Sequence, residues 1–378
     1  MVFISSHFDS GNIEVVQAQT PQDIQLKIRK DSHAEFLQWF HFRLQGAKHQ
    51  PCKMRILNAS ETSYTEGWED YKACASYDGN DWFRVKTTYD GGELVIEHQP
   101  EYDSVSYAYF APYSFERHLE LLNTAQLSPF CTQHLLGQTV EGRDFNLLEV
   151  TDTETPEKNI WIIARQHPGE TMAEWYMEGL IHGLLDPHNS VARALLKKAR
   201  FFLVPSMNPD GAARGNLRAN AAGANLNREW MNPSLKKSPE VYHVRQKMHD
   251  TGVDIFLDIH GDEAIPYNFA ATSEGVPAYT EEMAELEKRF IQKYMAITPD
   301  FQDTHGYPKD EPGEGNLTVA SNYVAEHFKC LALTIEQPFK DDLNNPDPHR
   351  GWSPERAKKL GQDVLPVIYG MLSLHQHQ

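Results

Sequence analysis

Three side chains that could hold a metal ion follow two apolar stretches of this 378-residue chain. His167 and Glu170 come just after the predicted strand 159–164, and His260 ends the predicted strand 253–260. Because the carboxyl ends of parallel strands meet at one edge of a sheet, the three side chains are expected to converge. Imidazole nitrogen and carboxylate oxygen bind zinc, and a catalytic zinc keeps three protein ligands and an open position for water. The sequence therefore predicts one zinc per chain; the alternative is a chance His-x-x-Glu spacing among 18 histidines.

A second group of candidate residues lies in a loop rich in glycine, alanine and asparagine. Arg214, Arg218, Asn227 and Arg228 follow the segment 208–211, which reads Asn-Pro-Asp-Gly. A guanidinium group binds a carboxylate through two parallel hydrogen bonds. The loop is therefore predicted to bind an anionic part of a substrate. A solvated surface loop is the alternative for any single arginine.

Glu336 closes the apolar stretch 330–336, which is a third predicted strand. A lone buried carboxylate is costly unless it is paired or used in chemistry. Alternatively, Glu336 simply emerges into solvent at the strand end. Beside a zinc ion that polarises a carbonyl and activates water, a carboxylate can take the proton of that water and pass it to a leaving amine. An arginine can stabilise the oxyanion, so the three groups of residues together predict metal-assisted hydrolysis.

Two regions with different hydrophobic patterns must position these residues. Up to residue 112, short alternating stretches separated by Asp-Gly turns predict an antiparallel β-domain. From residue 129 onward, near-continuous apolar strands alternate with amphipathic helices, which predicts a largely parallel sheet covered by helices on both faces. We therefore expect two domains, 1–112 and 113–378. Long irregular stretches inside a compact domain are usually functional, and the sequence has two, 214–225 and 299–315.

Capping residues predict where several helices begin. Ser114 is expected at the N-cap of the first helix after the β-domain. Ser238 is expected to cap another helix, with Pro239 at its first position. A further helix is predicted over 317–328.

Composition excludes several classes of protein. Lys and Arg number 35 against 53 Asp and Glu, and the resulting net charge of −18 disfavours nucleic acid and anionic membranes as partners. No apolar run approaches the ~18 residues that a membrane helix needs, and the start of the sequence lacks the pattern of a signal peptide. The four cysteines are scattered without Cys-x-x-Cys spacing, as in proteins that keep reduced thiols. We expect a soluble, cytoplasmic protein without nucleic-acid or membrane partners.

The order of these motifs resembles that of the zinc metallocarboxypeptidase family. The segments HPGE, GNLR, LNR and TIEQPF are most similar to the cytosolic carboxypeptidase branch, and YAYFAPYS at 107–114 is similar to its domain-junction motif. The resemblance implies an α/β, carboxypeptidase-like fold, in which a mixed, mostly parallel sheet is flanked by helices and preceded by an antiparallel β-sandwich domain. It also implies removal of C-terminal amino acids from peptides or protein tails.

The resemblance assigns roles to seven residues by position. They are the zinc ligands His167, Glu170 and His260, the general acid/base Glu336, the carbonyl-polarising Arg218, and the pair Asn227 and Arg228 that binds the terminal carboxylate.

Two further positions bear on the family pattern. Tyr307 is the nearest candidate for the mobile tyrosine of the family, whereas Tyr323 falls inside a predicted helix. Members of the branch that trim glutamate carry a basic residue where this chain has Gly315 and Asn316. An asparagine offers no charge to an acidic side chain, so Asn316 weakens an acidic preference.

Two other functions are compatible with parts of the pattern. A zinc deacylase acting on small N-acyl amino acids could use a similar fold, but the extra domain and the pair Asn227 and Arg228 favour a peptide substrate. A non-catalytic peptide-binding module is the other alternative. Such a module needs no buried base, so Glu336 favours catalysis.

Overall fold

The first part of the chain forms two five-stranded sheets around one hydrophobic core. The computed structural model describes residues 2–372. The first ten strands are β1 (Phe3–Ser5), β2 (Glu14–Thr20), β3 (Asp23–Lys27), β4 (His41–Gln45), β5 (Cys52–Ile56), β6 (Cys74–Ser76), β7 (Phe83–Arg84), β8 (Lys86–Tyr89), β9 (Leu94–His98) and β10 (Ser104–Ala108). Their orders are β1-β4-β10-β6-β7 and β2-β3-β5-β9-β8, and β3 with β5 is a parallel pair among antiparallel ones. The predicted antiparallel β-domain is confirmed.

A seven-stranded sheet forms the centre of the second part. Its strands are β11 (Cys131–Gln138), β12 (Asp144–Val150), β13 (Lys158–Ala164), β14 (Ala199–Val204), β15 (Ile255–Ile259), β16 (Phe269–Ala271) and β17 (Leu331–Glu336). The order is β11-β12-β14-β13-β15-β17-β16. The four central strands are parallel, and the three outer ones are antiparallel to their neighbours. The mixed, mostly parallel sheet is therefore confirmed.

Helices cover both faces of this sheet. They are α1 (Phe115–Ala125), α2 (Met172–Leu185), α3 (Ser190–Leu196), α4 (Pro209–Arg214), α5 (Pro239–Thr251), α6 (Glu281–Ile297), α7 (Ala320–Phe328) and α8 (Pro354–Leu372). Short 3₁₀ turns lie at Ala59–Glu61, Thr65–Trp68 and Leu226–Arg228. Alternate residues of β13 pack into hydrophobic cores on opposite faces of the sheet. Ile160 and Ile162 pack on the side of α2 and α8. Trp161 and Ile163 pack on the side of α5 and α7. A strand buried on both faces explains the continuous apolar run in the sequence.

The helix starts differ in detail from the capping predictions. Ser114 caps α1 by accepting a hydrogen bond from the backbone N–H of Arg117 at 3.1 Å. Ser238 occupies the cap position of α5 but makes no capping bond, because its hydroxyl donates to Glu229 at 3.2 Å. The helix predicted from residue 317 begins at Ala320, where the side-chain oxygen of Asn227 accepts the backbone N–H at 2.8 Å.

The two parts of the chain pack closely against each other. Arg84 donates to the carbonyl oxygens of Phe339 at 2.8 Å and Trp352 at 3.1 Å, and the ring of Tyr109 stacks on Phe339 with centroids 4.4 Å apart. The first part therefore holds the segment that follows β17. Among residues 2–372, no helix is long and apolar enough to cross a membrane.

Candidate metal centre and substrate cleft

The three predicted metal ligands meet at the carboxyl edge of β13 and β15. Nδ1 of His167 lies 2.7 Å from Oε1 of Glu170, and Nδ1 of His260 lies 2.8 Å from Oε2 of the same carboxylate. The two Nδ1 atoms are 3.2 Å apart. One donor atom from each residue lies within 4.8 Å of the others, and all three side chains are buried. The structure thus brings the set together as the sequence predicts.

The chemistry of this donor set fits a metal ion. Nε2 of His167 lies 3.0 Å from Oδ1 of Asn225, and Nε2 of His260 lies 2.8 Å from Oδ2 of Asp258. An acceptor beside Nε2 favours a proton on that nitrogen, so each ring, when neutral, presents the lone pair of Nδ1 to the space between the rings. A tetrahedral ion with bonds of ~2.0–2.1 Å holds its donors ~3.3 Å apart, close to the separation of these nitrogens.

The electrostatics of the site also favour a positive charge. Burial acts to lower the pKa of His260, yet the carboxylates of Asp258 and Glu170 hold it well above its ordinary value. Burial acts to raise the pKa of Glu170, but the two facing imidazoles keep it below its usual range. Burial and the charge of Arg218 lower the pKa of His167 to about 3, so this ring is neutral and offers a lone pair.

A residue with left-handed backbone conformation turns the chain towards the candidate metal ligands. Arg165 follows β13 with a φ of 58°, a conformation that costs about 1–2 kcal/mol for a residue with a Cβ. Its buried guanidinium donates to the carbonyls of Pro168 at 3.0 Å and Tyr113 at 2.9 Å, and it pairs with Glu174 at 2.7 Å. These contacts hold the bend that places His167 at the sheet edge.

Glu336 is the last residue of β17 and lies beside the candidate metal ligands. It is 5% exposed, and its Oε2 makes no hydrogen bond to the described part of the chain. Its Oε1 lies 3.1 Å from the hydroxyl of Tyr307, which donates to Oδ2 of Asp262 at 2.6 Å. Burial raises the pKa of Glu336 to about 8, with His260 opposing the rise and Glu170 adding to it. A carboxyl group that titrates near neutral pH with one free oxygen is suited to proton transfer.

The candidate metal ligands open onto a cleft of about 1070 Å³ that includes Arg218, Asn227 and Arg228. Nη1 of Arg218 lies 3.8 Å from Oε1 of Glu170. Asn227 uses its oxygen at the start of α7, and its Nδ2 makes no hydrogen bond within residues 2–372. Arg228 donates to the carbonyl of Asn227 at 2.7 Å and is exposed. Two guanidinium groups and one amide donor therefore border the cleft.

Two family profiles match the chain over its two parts. The profile described as "Cytosolic carboxypeptidase N-terminal domain" matches residues 4–110, and the one described as "Zinc carboxypeptidase" matches residues 117–350. The chain belongs to the zinc carboxypeptidase family. The resemblance seen in the sequence is confirmed, and this zinc carboxypeptidase is a hydrolase of peptide bonds.

Solved structures and a curated relative agree with this family. A metallo-carboxypeptidase from Burkholderia cenocepacia is 48% identical with a TM-score of 0.97, over 99% of this chain and 100% of that one. A metallo-carboxypeptidase from Pseudomonas aeruginosa, in complex with (2-guanidinoethylmercapto)succinic acid, is 48% identical with a TM-score of 0.96, over 98% and 99%. Mouse cytosolic carboxypeptidase 6 is 29% identical over 69% of this chain, which spans 53% of the mouse protein.

Some residues singled out in the sequence lie elsewhere in this zinc carboxypeptidase. Arg214, at the end of α4, donates to Glu141 at 2.8 Å and does not join the other two arginines. Asn316 turns its side-chain oxygen to the backbone N–H of Thr318 at 3.0 Å. Tyr323 lies on the helix α7, and its hydroxyl is 2.8 Å from Nε2 of His249.

Other residues of the zinc carboxypeptidase site were not found from the sequence. The position of Asp258 in the sequence could have identified it as a neighbour of the site. It lies two positions before the strand-end His260, and side chains two positions apart in a strand share a face. Tyr64 lies in the cleft with Arg218 5.4 Å from its ring, but it comes from the first part of the chain and carries no local motif. Glu263 also lines the cleft, and burial raises its pKa well above the ordinary value.

Proposed function

We propose that this protein is a zinc-dependent carboxypeptidase that removes C-terminal residues from peptides or protein tails. The proposed zinc ligands are His167, Glu170 and His260. The observation that carries this assignment is the convergence of two Nδ1 atoms and a carboxylate, with the opposite ring nitrogens facing Asn225 and Asp258. Zinc held there would polarise a peptide carbonyl and lower the pKa of bound water.

Glu336 is the proposed proton carrier. Its Oε2 is buried without a hydrogen-bond partner in the described chain, so it can accept the proton of the attacking water. The same oxygen would then give the proton to the nitrogen of the leaving residue. The hydroxyl of Tyr307 lies beside Oε1 and restricts the rotation of the carboxylate, which leaves Oε2 for the proton.

Three residues of the loop are proposed to bind the substrate. Arg218, close to Glu170, would stabilise the negative charge that develops on the carbonyl oxygen. Arg228 and the free Nδ2 of Asn227 would bind the terminal carboxylate. The succinic acid derivative bound by the Pseudomonas relative carries carboxylates, which supports a carboxylate-binding cleft here.

The size of the cleft and the state of Glu336 favour peptide hydrolysis over the two alternatives. A cleft of about 1070 Å³ suits a peptide better than a small N-acyl amino acid. A buried carboxyl with a free oxygen suits turnover better than simple binding. A preference for acidic C-terminal residues is not part of the proposal, because Asn316 brings no charge and bonds to Thr318.

We also propose a domain organisation and a compartment for the protein. We place the domains at 1–112 and 113–378, supported by profile matches that end at residue 110 and begin at residue 117. We place the protein in the reducing cytoplasm without nucleic-acid or membrane partners. The four free, buried cysteines and the net charge of −18 support this part.

The test is a screen of peptides that differ in their last residue. Zinc-loaded protein is incubated with each free-acid peptide, and the products are identified by mass spectrometry. We expect shortening from the C-terminus by single residues, which stops when a chelator removes the metal. Release of internal fragments, or deacylation of N-acyl amino acids without peptide shortening, would contradict the proposal.

A further inference from the structure

A buried aspartate of the first domain binds the backbone of the loop that carries Arg218. Oδ1 of Asp31 accepts the N–H of Leu217 at 2.6 Å. Its Oδ2 accepts the N–H groups of Arg218 at 2.7 Å and Ala219 at 2.8 Å. Asp31 is 4% exposed. One carboxylate therefore satisfies three consecutive N–H groups of the other domain.

These bonds matter because the loop has little regular structure of its own. Between α4 and the turn Leu226–Arg228, the chain forms no helix or strand. The N–H groups of Asn220 and Gly223 bond to carbonyls of the loop itself, whereas the N–H groups of residues 217–219 bond to Asp31. Hydrogen bonds to an ionised acceptor are about twice as strong as neutral ones. Burial raises the pKa of Asp31 to about 6, while the three N–H groups act to lower it, so the group is ionised at neutral pH.

The first domain also contacts the side chain of the same arginine. The guanidinium of Arg218 lies 5.4 Å from the ring centroid of Tyr64 and 6.0 Å from that of Phe36. Cations are attracted to aromatic faces at such distances. Asp31 thus fixes the backbone of Arg218, and two rings border its guanidinium.

We infer that Asp31 is a positioning residue for Arg218, through which the first domain directs the guanidinium to the carbonyl of the scissile bond. The inference rests on the role proposed above for Arg218. It gives the β-domain a part in turnover, since the loop 215–225 loses these three hydrogen bonds without it.

The first experiment replaces Asp31 by asparagine in the full-length, zinc-loaded protein. Asp31→Asn keeps the size of the side chain but directs an amide N–H₂ towards backbone N–H donors. We expect kcat to fall about 10- to 100-fold, as for a small misplacement of a catalytic group. KM and zinc content should change little, because neither Arg228 nor any proposed metal ligand makes a hydrogen bond to Asp31.

A matched control comes from the next residue. The hydroxyl of Ser32 lies 3.2 Å from Oδ1 of Asn216, so Ser32→Ala also removes a hydrogen bond between the domains, but one that does not reach residues 217–219. Ser32→Ala should keep the parental kcat. An equal loss of kcat in Ser32→Ala and Asp31→Asn would overturn the inference, because it would show a general effect of the interface.

A double-mutant cycle separates positioning from simple structural support. In an Arg218→Ala background, the added Asp31→Asn change should lower kcat by less than about twofold, because the residue it positions is gone. Equal losses in the two backgrounds would overturn the inference. If Asp31→Asn fails to fold, the cycle is repeated with Asp31→Glu, which keeps the charge. The loss of kcat is again compared between the parent and the Arg218→Ala background.

The outcomes also distinguish this inference from the proposed function. A nearly inactive Arg218→Ala beside a fully active Asp31→Asn would overturn the positioning role alone. Parental kcat in Arg218→Ala would overturn the proposed role of Arg218 and the positioning role together.

Discussion

The carboxylate of Asp258 lies 2.8 Å from Nε2 of His260, on the side of the ring opposite to Glu170. The same carboxylate accepts a hydrogen bond from Nε2 of Gln166 at 2.6 Å, and Oε1 of Gln166 accepts from the indole of Trp230 at 2.8 Å. Hydrogen bonds therefore connect the protein core to the carboxylate that lies beside His260. Such outer partners fix the tautomer and orientation of a ligating histidine.

Replacing Asp258 should weaken zinc binding without removing a ligand. Asp258→Asn loses the charge that supports His260, and we expect the zinc affinity to fall about 10- to 100-fold. Competition with a chelator of known affinity measures this change. The control is Asp254→Asn, since Asp254 pairs with Lys158 at the other end of the strand, at 2.8 Å. Unchanged zinc affinity in Asp258→Asn would show that the carboxylate does not support the ligand.

Removal of a proposed ligand should abolish stoichiometric zinc. The parent protein should hold about one zinc per chain, because three ligands and one water complete a catalytic site. His167→Ala leaves two protein ligands, and elemental analysis of the purified variant should find little zinc. His182→Ala, which changes an exposed histidine of α2, should retain the metal. Full zinc content in His167→Ala would refute the assignment of His167.

Glu336→Gln should separate metal binding from turnover. Glutamine keeps the size of the side chain but cannot accept the proton of water, and general acid/base steps contribute about 10²- to 10⁴-fold to rates. We expect kcat to fall by this amount while zinc content and peptide binding persist. The measurements are steady-state kinetics, elemental analysis and peptide titration on the same preparation. Near-parental kcat in a zinc-replete variant would exclude Glu336 from proton transfer.

The strand-end part of the site could be predicted from the sequence because it follows from local patterns. Buried parallel strands have continuous apolar runs, and the residues that end them share one sheet edge, which placed His167, His260 and Glu336 correctly. The outer strands β11, β12 and β16 were missed, since β11 and β12 are only partly buried and β16 has three residues.

The contributions that depend on distant packing could not be predicted. Asp31 lies 187 positions before Arg218, and no periodicity relates the two residues. The start of α7 is displaced to Ala320 because Asn227, from a different loop, caps it. Local propensity cannot anticipate either contact, since each depends on how residues 215–228 pack against distant parts of the chain.

A free terminal carboxylate should be a condition of efficient cleavage. Amidation of an otherwise identical peptide removes the charge that Arg228 and Asn227 are proposed to bind. Because Arg228 is exposed, water partly screens the attraction between its guanidinium and the terminal carboxylate of the peptide. We therefore expect amidation to lower kcat/KM about 10-fold rather than by several orders of magnitude. Arg228→Ala should reduce the difference between the two peptides to nearly nothing. Equal cleavage of both peptides by the parent enzyme would favour an endopeptidase or another amidase.

Glu240 should make the stability of the fold depend on pH. It is fully buried in the first turn of α5, its Oε1 has no partner in the described chain, and burial raises its pKa to about 7. Asp210 adds to the rise, and Oε2 accepts from Asn220 at 3.3 Å. From about pH 4.5 to about pH 7, the folded protein binds more protons at this site than the unfolded chain. The contribution of Glu240 to the free energy of unfolding therefore falls as the pH rises through this window.

Glu240→Gln, which stays uncharged at every pH, should remove this dependence. A pKa unit corresponds to about 1.4 kcal/mol, so the variant should gain up to about 3 kcal/mol relative to the parent between pH 4.5 and pH 8. Denaturant unfolding of both proteins at the two pH values measures the change. Glu281→Gln, at an exposed position in the first turn of α6, is the control for loss of a charge near a helix start and should show no such gain. If the free energies of unfolding of Glu240→Gln and the parent differed by the same amount at both pH values, Glu240 would not have a raised pKa in the folded protein.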